Sequence, residues 1–457
     1  MLVEYSSMFK GFEFIAKGQG KNNNNKYSVI VGKNGTGKSR LLKSIINKTL
    51  QMKGLDYRFE REDRTTIEQT VGYLNFEALP NKIIAVSTSP FDRFPIPKRN
   101  EYVITSNDYI YLGLRDIISS NLSLGYMTKI INSLIVSIIR GPEKSISIAQ
   151  VMNYLGYSDV ISVRFQLSPT ITKMESIING LNPEMDFENY LNLSSSRNIN
   201  KYFYLNKHGG IDTDKIHQTF DIFNKISSYT RKPRLNLYID RSGVLIAEDV
   251  FLTEKDFVFL ISTGIAKLRD VSLQKIETGH QFKISEASSG EQSIVMGFLG
   301  IASKIEDNSL ICIDEPEVCL HPEWQEKYIE LLISAFAFYK NCHFIIATHS
   351  PQIVSNLEDD NCFVTSMDDG VAINSFELNN KSIDFQLANT FQSPGHKNEY
   401  LSRELISFLT MFGNGQKISL KQVERIKKLL LLENIIEDED PVKKLMGMVK
   451  EIIGEYL

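Results

Sequence analysis

Three short stretches of this chain are almost continuously apolar and stop abruptly at polar residues. They are Tyr27–Val31 ahead of Gly32, Leu310–Ile313 ahead of Asp314 and Glu315, and HFIIAT (343–348) ahead of His349 and Ser350. Runs of this length without alternation read as strands buried on both faces, the pattern of a parallel sheet. The first run leads into Leu41, Leu42, Ile45 and Ile46, a 3–4 spacing that predicts a helix. A second helix is predicted where SEASSGEQS (285–293) runs into IVMGFLGIAS. Ser288 or Ser289 would cap it, and Glu291 would sit at its positive end. Residues 126–139 and 216–229 read as helices of ordinary length, and no heptad is sustained long enough for a coiled coil. The stretches EYLSRELISFLTMF, LKQVERIKKLLLLENII and PVKKLMGMVKEII predict a helical tail after residue 380, with EDED (437–440) as a solvated linker. Strands alternating with helices indicate an α/β fold.

The polar residues that end the three runs carry the candidate chemistry. Gly32, Gly35, Gly37, Lys38 and Ser39 stand between a strand and a helix, the context a phosphate-binding loop requires. Glycines let backbone N–H groups turn inward around phosphate oxygens, and the helix N-terminus adds partial positive charge. Asn34 lies in the same cradle. Lys38 can reach β- and γ-phosphates, and Ser39 can ligate Mg2+. Adjacent carboxylates at the end of a buried strand are costly without a cation. Asp314 therefore fits a Mg2+ partner, and Glu315 fits a base that orients or deprotonates water. His349 follows the carboxyl end of a strand, where α/β sheets bind ligands, and could sense the γ-phosphate.

Composition narrows the class. At 457 residues the chain exceeds one ordinary core. With 42% hydrophobic and 23% charged residues it has the make-up of a globular protein, and a net charge of −4 gives no global pull on nucleic acid. A local basic trio, Arg231, Lys232 and Arg234, reads first as a solvated loop. The N-terminus lacks a secretion signal, and no apolar run reaches the roughly 18–20 residues that span a bilayer, so a cytoplasmic protein without a membrane partner is expected. Cysteines 312, 319, 342 and 362 form no CxxC pair and are expected as buried, reduced thiols.

The phosphate loop, SSGEQ (288–292), IDEP (313–316) and ATHS (347–350) stand in one order that resembles the ABC-class ATPases, specifically the SMC-like and RecF-like branch of AAA family ATPases. The resemblance implies a P-loop NTPase of ABC type: a mixed sheet flanked by helices, a compact, mostly helical insertion and a helical tail. It divides the chain at 1–100, 101–270, 271–378 and 379–457, as N-terminal ATPase half, helical lid, C-terminal ATPase half and tail. ATP and Mg2+ are its implied cofactors. Ser289, Gly290 and Gln292 would belong to the signature motif that grips the γ-phosphate held by a second subunit. Asp314 would be the Walker B aspartate, Glu315 the catalytic glutamate and His349 the switch histidine. Val318–His321 would be the D-loop, although VCLH lacks the usual aspartate. The stretch Ala85–Phe94 (AVSTSPFDRF) occupies about the position of the Q-loop, with Ser87, Thr88 and Asp92 as candidate metal or water contacts; Tyr111–Arg115 (YLGLR) looks like its companion. Some relatives, the OLD-type nucleases, append a Toprim domain; the short helical tail here argues against one.

Three functions fit. The first is a regulator, in bacterial anti-phage defence, of a separately encoded nuclease or toxin, like the stand-alone ATPases of Septu, PARIS and retron systems. The second is a RecF-like repair ATPase that binds DNA. The third is a nucleotide-locked scaffold with little turnover. All imply a homodimer or higher homo-oligomer with ATP sandwiched between subunits.

Overall fold

The three apolar runs are strands, Lys26–Val31, Ser309–Asp314 and His343–Thr348, and every residue in them is buried. The computed structural model describes all residues except 8–9, 19–22, 56–71, 98–107, 118–120, 194–198, 207–208, 231, 233, 248–251, 356, 358, 379–380, 417 and 457. Among the described residues the chain forms two units, Met1–Asp116 with Ile305–Leu457, and Ile117–Lys304.

The chain enters the first unit through β1 (Leu2–Ser7), β2 (Gly11–Glu13), β3 (Lys26–Val31), α1 (Lys38–Met52), β4 (Gly72–Phe76), β5 (Lys82–Ser87) and β6 (Tyr109–Leu112). The second unit holds α2 (Leu122–Arg140), α3 (Lys144–Tyr154), β7 (Ile161–Leu167), α4 (Ile171–Ile178), α5 (Pro183–Leu193) and α6 (Thr213–Tyr229). It continues through β8 (Arg234–Asp240), β9 (Gly243–Ile246), α7 (Glu254–Ser262), β10 (Ala266–Gln274), β11 (Gln281–Lys283) and α8 (Ser289–Lys304). The chain returns as β12 (Ser309–Asp314), α9 (Pro322–Ala335), β13 (His343–Thr348), α10 (Pro351–Ser355), β14 (Cys362–Ser366) and β15 (Ala372–Asn374). It ends in α11 (Glu399–Gly413), α12 (Leu420–Leu430) and α13 (Pro441–Tyr456).

In the first unit a seven-stranded sheet runs β15-β14-β3-β13-β12-β5-β6. Its pairs are parallel except β14 with β15, so the sheet is mixed. A three-stranded antiparallel sheet, β2-β1-β4, accompanies it. Leu41, Leu42, Ile45 and Ile46 of α1 pack with Ile30, Ile83, Leu310 and Ile345 of the large sheet. Burying each such side chain contributes about 1.5–3 kcal/mol. The tail has its own core, in which Leu401 and Leu405 of α11 meet Ile426 and Leu429 of α12 and Val442, Met446 and Val449 of α13.

The second unit is rich in helices but is built on an antiparallel sheet, β11-β10-β7-β8-β9, that the helical reading of 101–270 did not include. Strict alternation explains it. Ile161, Val163, Phe165 and Leu167 are buried, while Ser162, Arg164 and Gln166 between them are not. The unit boundaries fall at 116/117 and 304/305, so the SSGEQ segment belongs to the second unit. The position 100/101 where the sequence divides lies outside the described residues, as does Arg231 of the basic trio.

Helix α2 is long and apolar enough to cross a bilayer by length and composition only, and Thr128, Lys129, Asn132 and Ser133 interrupt its apolar run. It buries Tyr126, Met127, Ile130, Ile131, Leu134, Ile135 and Ile138, and packs against α8. Two smaller expectations are revised. Asp440 is buried rather than solvated, because its carboxylate accepts from the backbone N–H groups of Lys397 (2.7 Å) and Val442 (2.9 Å). All four cysteines are free, but Cys319 is exposed at the tip of a turn.

His343 joins the large sheet to the N-terminus. Its Nδ1 accepts from Leu2 N–H at 3.2 Å, and its Nε2 lies 2.8 Å from Ser28 Oγ, which itself donates to Phe14 O. The ring is therefore neutral with the proton on Nε2. Complete burial, aided by the N-terminal and Lys26 charges, pushes its pKa down to about 3. The folded state binds fewer protons than the unfolded chain between the ordinary value and that depressed one. The stabilising contribution is thus present above roughly pH 6.5 and is lost as pH falls toward 3. Thermal unfolding from pH 7 to 4 should show a falling midpoint, with a shallower fall in His343→Gln. Identical slopes would refute a neutral buried histidine.

Candidate functional site

Parallel pairing sets the ends of four strands at nearly one level: Val31 opposite Thr348, Ala347 opposite Asp314, and Asp314 opposite Ser87. The loops that leave them form one site. After β3 the chain turns through Gly32 to Gly37. Gly37 adopts φ 99° as the N-cap of α1, a left-handed conformation that suits glycine. At Gly32 a Cβ would come within 3.0 Å of Met367 Cβ and Thr36 Oγ1. The resulting cleft of about 190 Å³ is lined by Asn34, Gly35, Gly37, Lys38 and Ser39 of the loop, and by Glu315. Arg40, Phe91 and Arg93, which the sequence did not single out, also line it.

Lys38 is buried, and its ammonium donates to the carbonyls of Gly32 (2.7 Å) and Lys33 (3.1 Å). Desolvation lowers its pKa, opposed by the charges of Glu317, Glu315 and Asp314. Ser39 Oγ donates to Asp314 Oδ1 at 3.0 Å. Asp314 is 2% exposed, and its pKa is pushed up to about 7, chiefly by burial. The hydrogen bond from Ser39 opposes that shift, and the charges of Glu315, Asp92 and Glu317 add to it. A buried acid crowded by three others is a place for a cation. Among the described residues no cluster of three or more His, Cys, Asp or Glu side chains is shaped to hold a metal ion unaided. One carboxylate and one hydroxyl suit Mg2+, which keeps several waters and takes the rest of its ligands from phosphates.

Glu315 has φ 49°, a left-handed backbone that costs a non-glycine residue ~1–3 kcal/mol. Its N–H donates to Ala347 O at 2.9 Å, which holds the strained turn against β13. His349 lies beside it, with Nδ1 3.8 Å from Glu315 Oε1. That ring nitrogen is nearer, 3.1 Å, to Oε1 of Glu317, a residue absent from the sequence-based candidates. Its signal was a third acid in the run DEPE (314–317).

The Ala85–Phe94 and Tyr111–Arg115 segments meet. Asp92 accepts from Tyr111 Oη (2.7 Å) and Arg115 Nη1 (3.1 Å), so it fastens the two loops instead of offering a free ligand. Ser87 Oγ accepts from Ser89 N–H. The buried Thr88 hydroxyl has no partner among the described residues. In the D-loop segment, Leu320 O accepts from Gln325 Nε2 at 3.0 Å.

Ser289, Gly290 and Gln292 lie in the second unit, at the start of α8. Ser288 is the cap, and its Oγ accepts from Glu291 N–H at 3.2 Å. Glu291 bonds Tyr157 Oη and pairs with Lys275 at 3.1 Å. Gln292 is engaged at both ends, accepting from Ser123 Oγ and donating to Ala287 O. Ser289 stays exposed.

Residues 171–355 match the family described as "AAA domain, putative AbiEii toxin, Type IV TA system". The chain is 27% identical over 148 residues to "Retron Ec83 probable ATPase" of Escherichia coli, covering 29% of this chain and 26% of that protein. It is 25% identical over 104 residues to "Retron Vc95 probable ATPase" of Vibrio cholerae serotype O1 biovar El Tor, covering 20% of each. The chain thus spans about a quarter or less of these two curated relatives. Among solved structures it is similar to the SmcHead bound to the C-winged helix domain of ScpA, with 13% identity and a TM-score of 0.27. That likeness covers 81% of this chain and 95% of the other. Over part of its length the chain is thus similar to an AAA-domain family and to two retron ATPases.

Lys38→Ala should weaken binding of a fluorescent ATP analogue by tenfold or more; an unchanged affinity would remove Lys38 from the phosphate cradle. Asp314→Asn relieves a carboxylate cluster. Its unfolding midpoint should rise at pH 8, while the Mg2+ dependence of nucleotide binding disappears.

Proposed function

We propose that the chain binds and hydrolyses Mg-ATP as a homodimer or higher homo-oligomer, and that it regulates a separately encoded effector, a nuclease or toxin, in anti-phage defence in the cytoplasm. One observation supports the ATPase reading most: Lys38, Ser39, Asp314, Glu315 and His349 all follow the same ends of three parallel strands in one mixed sheet. In this reading Gly32, Asn34, Gly35 and Gly37 shape the phosphate cradle, and Lys38 leaves its loop carbonyls for the β- and γ-phosphates. Ser39 and Asp314 would hold Mg2+, which supplies charge neutralisation on the phosphate oxygens. Glu315 orients the attacking water and accepts its proton, while His349 contacts the γ-phosphate. Ser289, Gly290 and Gln292 serve the nucleotide of a partner subunit, through the N–H groups at the start of α8. Chain segments 1–100 and 271–378 would then be the two ATPase halves, with 101–270 as lid and 379–457 as tail. Similarity to two retron ATPases supports the regulatory role.

A second reading, direct DNA binding of the RecF kind, has one observation in its favour. The outward positions of the second unit's sheet carry Arg164, Arg234, Lys267, Arg269 and Lys283 against Asp240 and Asp270. An open cationic face suits a phosphate backbone.

ATP turnover with and without duplex DNA, with Glu315→Gln as the blank, separates the two. Turnover indifferent to DNA supports the regulator. Stimulation that salt abolishes supports the DNA reading. Native mass spectrometry of Glu315→Gln should show ATP shifting monomer to dimer; a mass unaffected by ATP would sink the sandwich.

A further inference from the structure

We propose that Glu317 is the positioning residue for His349, and that it acts through geometry: one carboxylate oxygen fixes both the backbone and the ring of the histidine. The inference deepens the ATPase reading and rests on it only for its kinetic consequences.

Glu317 is 7% exposed. Its Oε1 accepts from the backbone N–H of His349 at 2.7 Å and lies 3.1 Å from the ring Nδ1 of the same residue. Its Oε2 is buried with no hydrogen-bond partner among the described residues. Burying a carboxylate that is only half satisfied is costly, and packing alone would be served better by an apolar side chain. The carboxylate instead specifies a ring state. Oε1 already serves as the acceptor of the His349 backbone N–H, and at 3.1 Å it favours a proton on Nδ1, which leaves Nε2 as the atom His349 presents elsewhere. The backbone hydrogen bond and the 3.1 Å ring contact converge on one oxygen, which restricts the ring relative to the strand end.

Glu315 cannot do this work. At 3.8 Å it is beyond hydrogen-bond reach of Nδ1, and it remains available for water. The charge of Glu317 also opposes the burial that lowers the pKa of Lys38. The next residue is tied down separately. Ser350 Oγ donates to Gln325 Oε1 at 2.6 Å, and Gln325 Nε2 donates to Leu320 O. His349 is therefore held from two sides, by Glu317 and through Ser350 by the Val318–His321 segment. Removing supports of this kind typically costs about tenfold to a hundredfold in activity.

Two substitutions separate geometry from charge. Glu317→Gln can keep Oε1 in place, because the backbone N–H of His349 needs an acceptor and so pins the amide oxygen there. It removes the charge and turns the orphan oxygen into a donor. Glu317→Ala removes the backbone hydrogen bond and the ring contact together. The tautomer of His349 would be read by long-range 1H–15N spectra of nucleotide-free, histidine-labelled protein, with the resonance assigned through His349→Asn. Turnover would be measured in parallel. The expected result is the Nδ1–H form in wild type and Glu317→Gln, and its loss in Glu317→Ala. Alongside, kcat should fall a few-fold in Glu317→Gln and about tenfold to a hundredfold in Glu317→Ala, with KM for ATP changed less than about threefold. An Nδ1–H tautomer that survives in Glu317→Ala overturns the proposal. So does a Glu317→Gln variant that keeps the tautomer yet loses as much kcat as Glu317→Ala, since charge and not position would then be responsible. The spectra need no nucleotide. A chain that does not hydrolyse ATP but shows the expected tautomers would fail the ATPase reading and leave the positioning role standing.

Discussion

Parallel pairing of β3, β13, β12 and β5 is the constraint from which the site of the first unit follows. Parallel neighbours all end on the same edge, and here the registers agree to within one residue. Loops that are hundreds of residues apart in sequence therefore start side by side, and Ser39 can reach Asp314 across 275 positions. The same four strands are almost wholly buried, and Lys38, Asp314 and Glu317 beside their ends are desolvated as well as adjacent. Position and electrostatics have one cause.

That desolvation carries a cost. The charges of Glu315, Asp92 and Glu317 all act on Asp314, in a region where burial lowers the pKa of Lys38 and Arg115 is taken up by Asp92. Glu315 adds a left-handed backbone. A chain selected for stability alone would not keep this arrangement. Strain and like charge gathered at one strand end indicate a site organised around a ligand of opposite character. The second unit treats its candidate residues differently. Capping by Ser288, the anchoring of Glu291 by Tyr157 and Lys275, and the two bonds of Gln292 hold the start of α8 rigidly within its own unit.

The legible parts of the chain were those where one physical demand dominates. Continuous apolar runs announced β3, β12 and β13, because a strand buried on both faces tolerates nothing else. Glycine spacing announced the tight strand-to-helix loop, since Gly37 needs its left-handed φ and Gly32 has no room for a Cβ. The tail helices were legible from their periodicity, down to a start at Glu399. The sheet of the second unit was missed although ISVRFQL and RLNLYID alternate strictly, because a single strand of period two is short and its partners are remote in sequence. Asp440 was misread for a related reason: its value lies in backbone N–H groups, one of which, that of Lys397, is 43 residues away.

The sequence by itself determined the class of chemistry. The loop from Gly32 to Ser39, the pair Asp314–Glu315 and the histidine after β13 each follow from local rules about strands, turns and helix ends. What only the tertiary structure decided is which of several acids meets which partner. Asp92 was a candidate contact for metal or water and proved to be a fastening for Tyr111 and Arg115; Glu317 was no candidate, and its Oε1 accepts from the His349 N–H. A carboxylate's role is set by the donors within about 3 Å of it. Those donors are brought there by strand register and loop path, which no local pattern encodes.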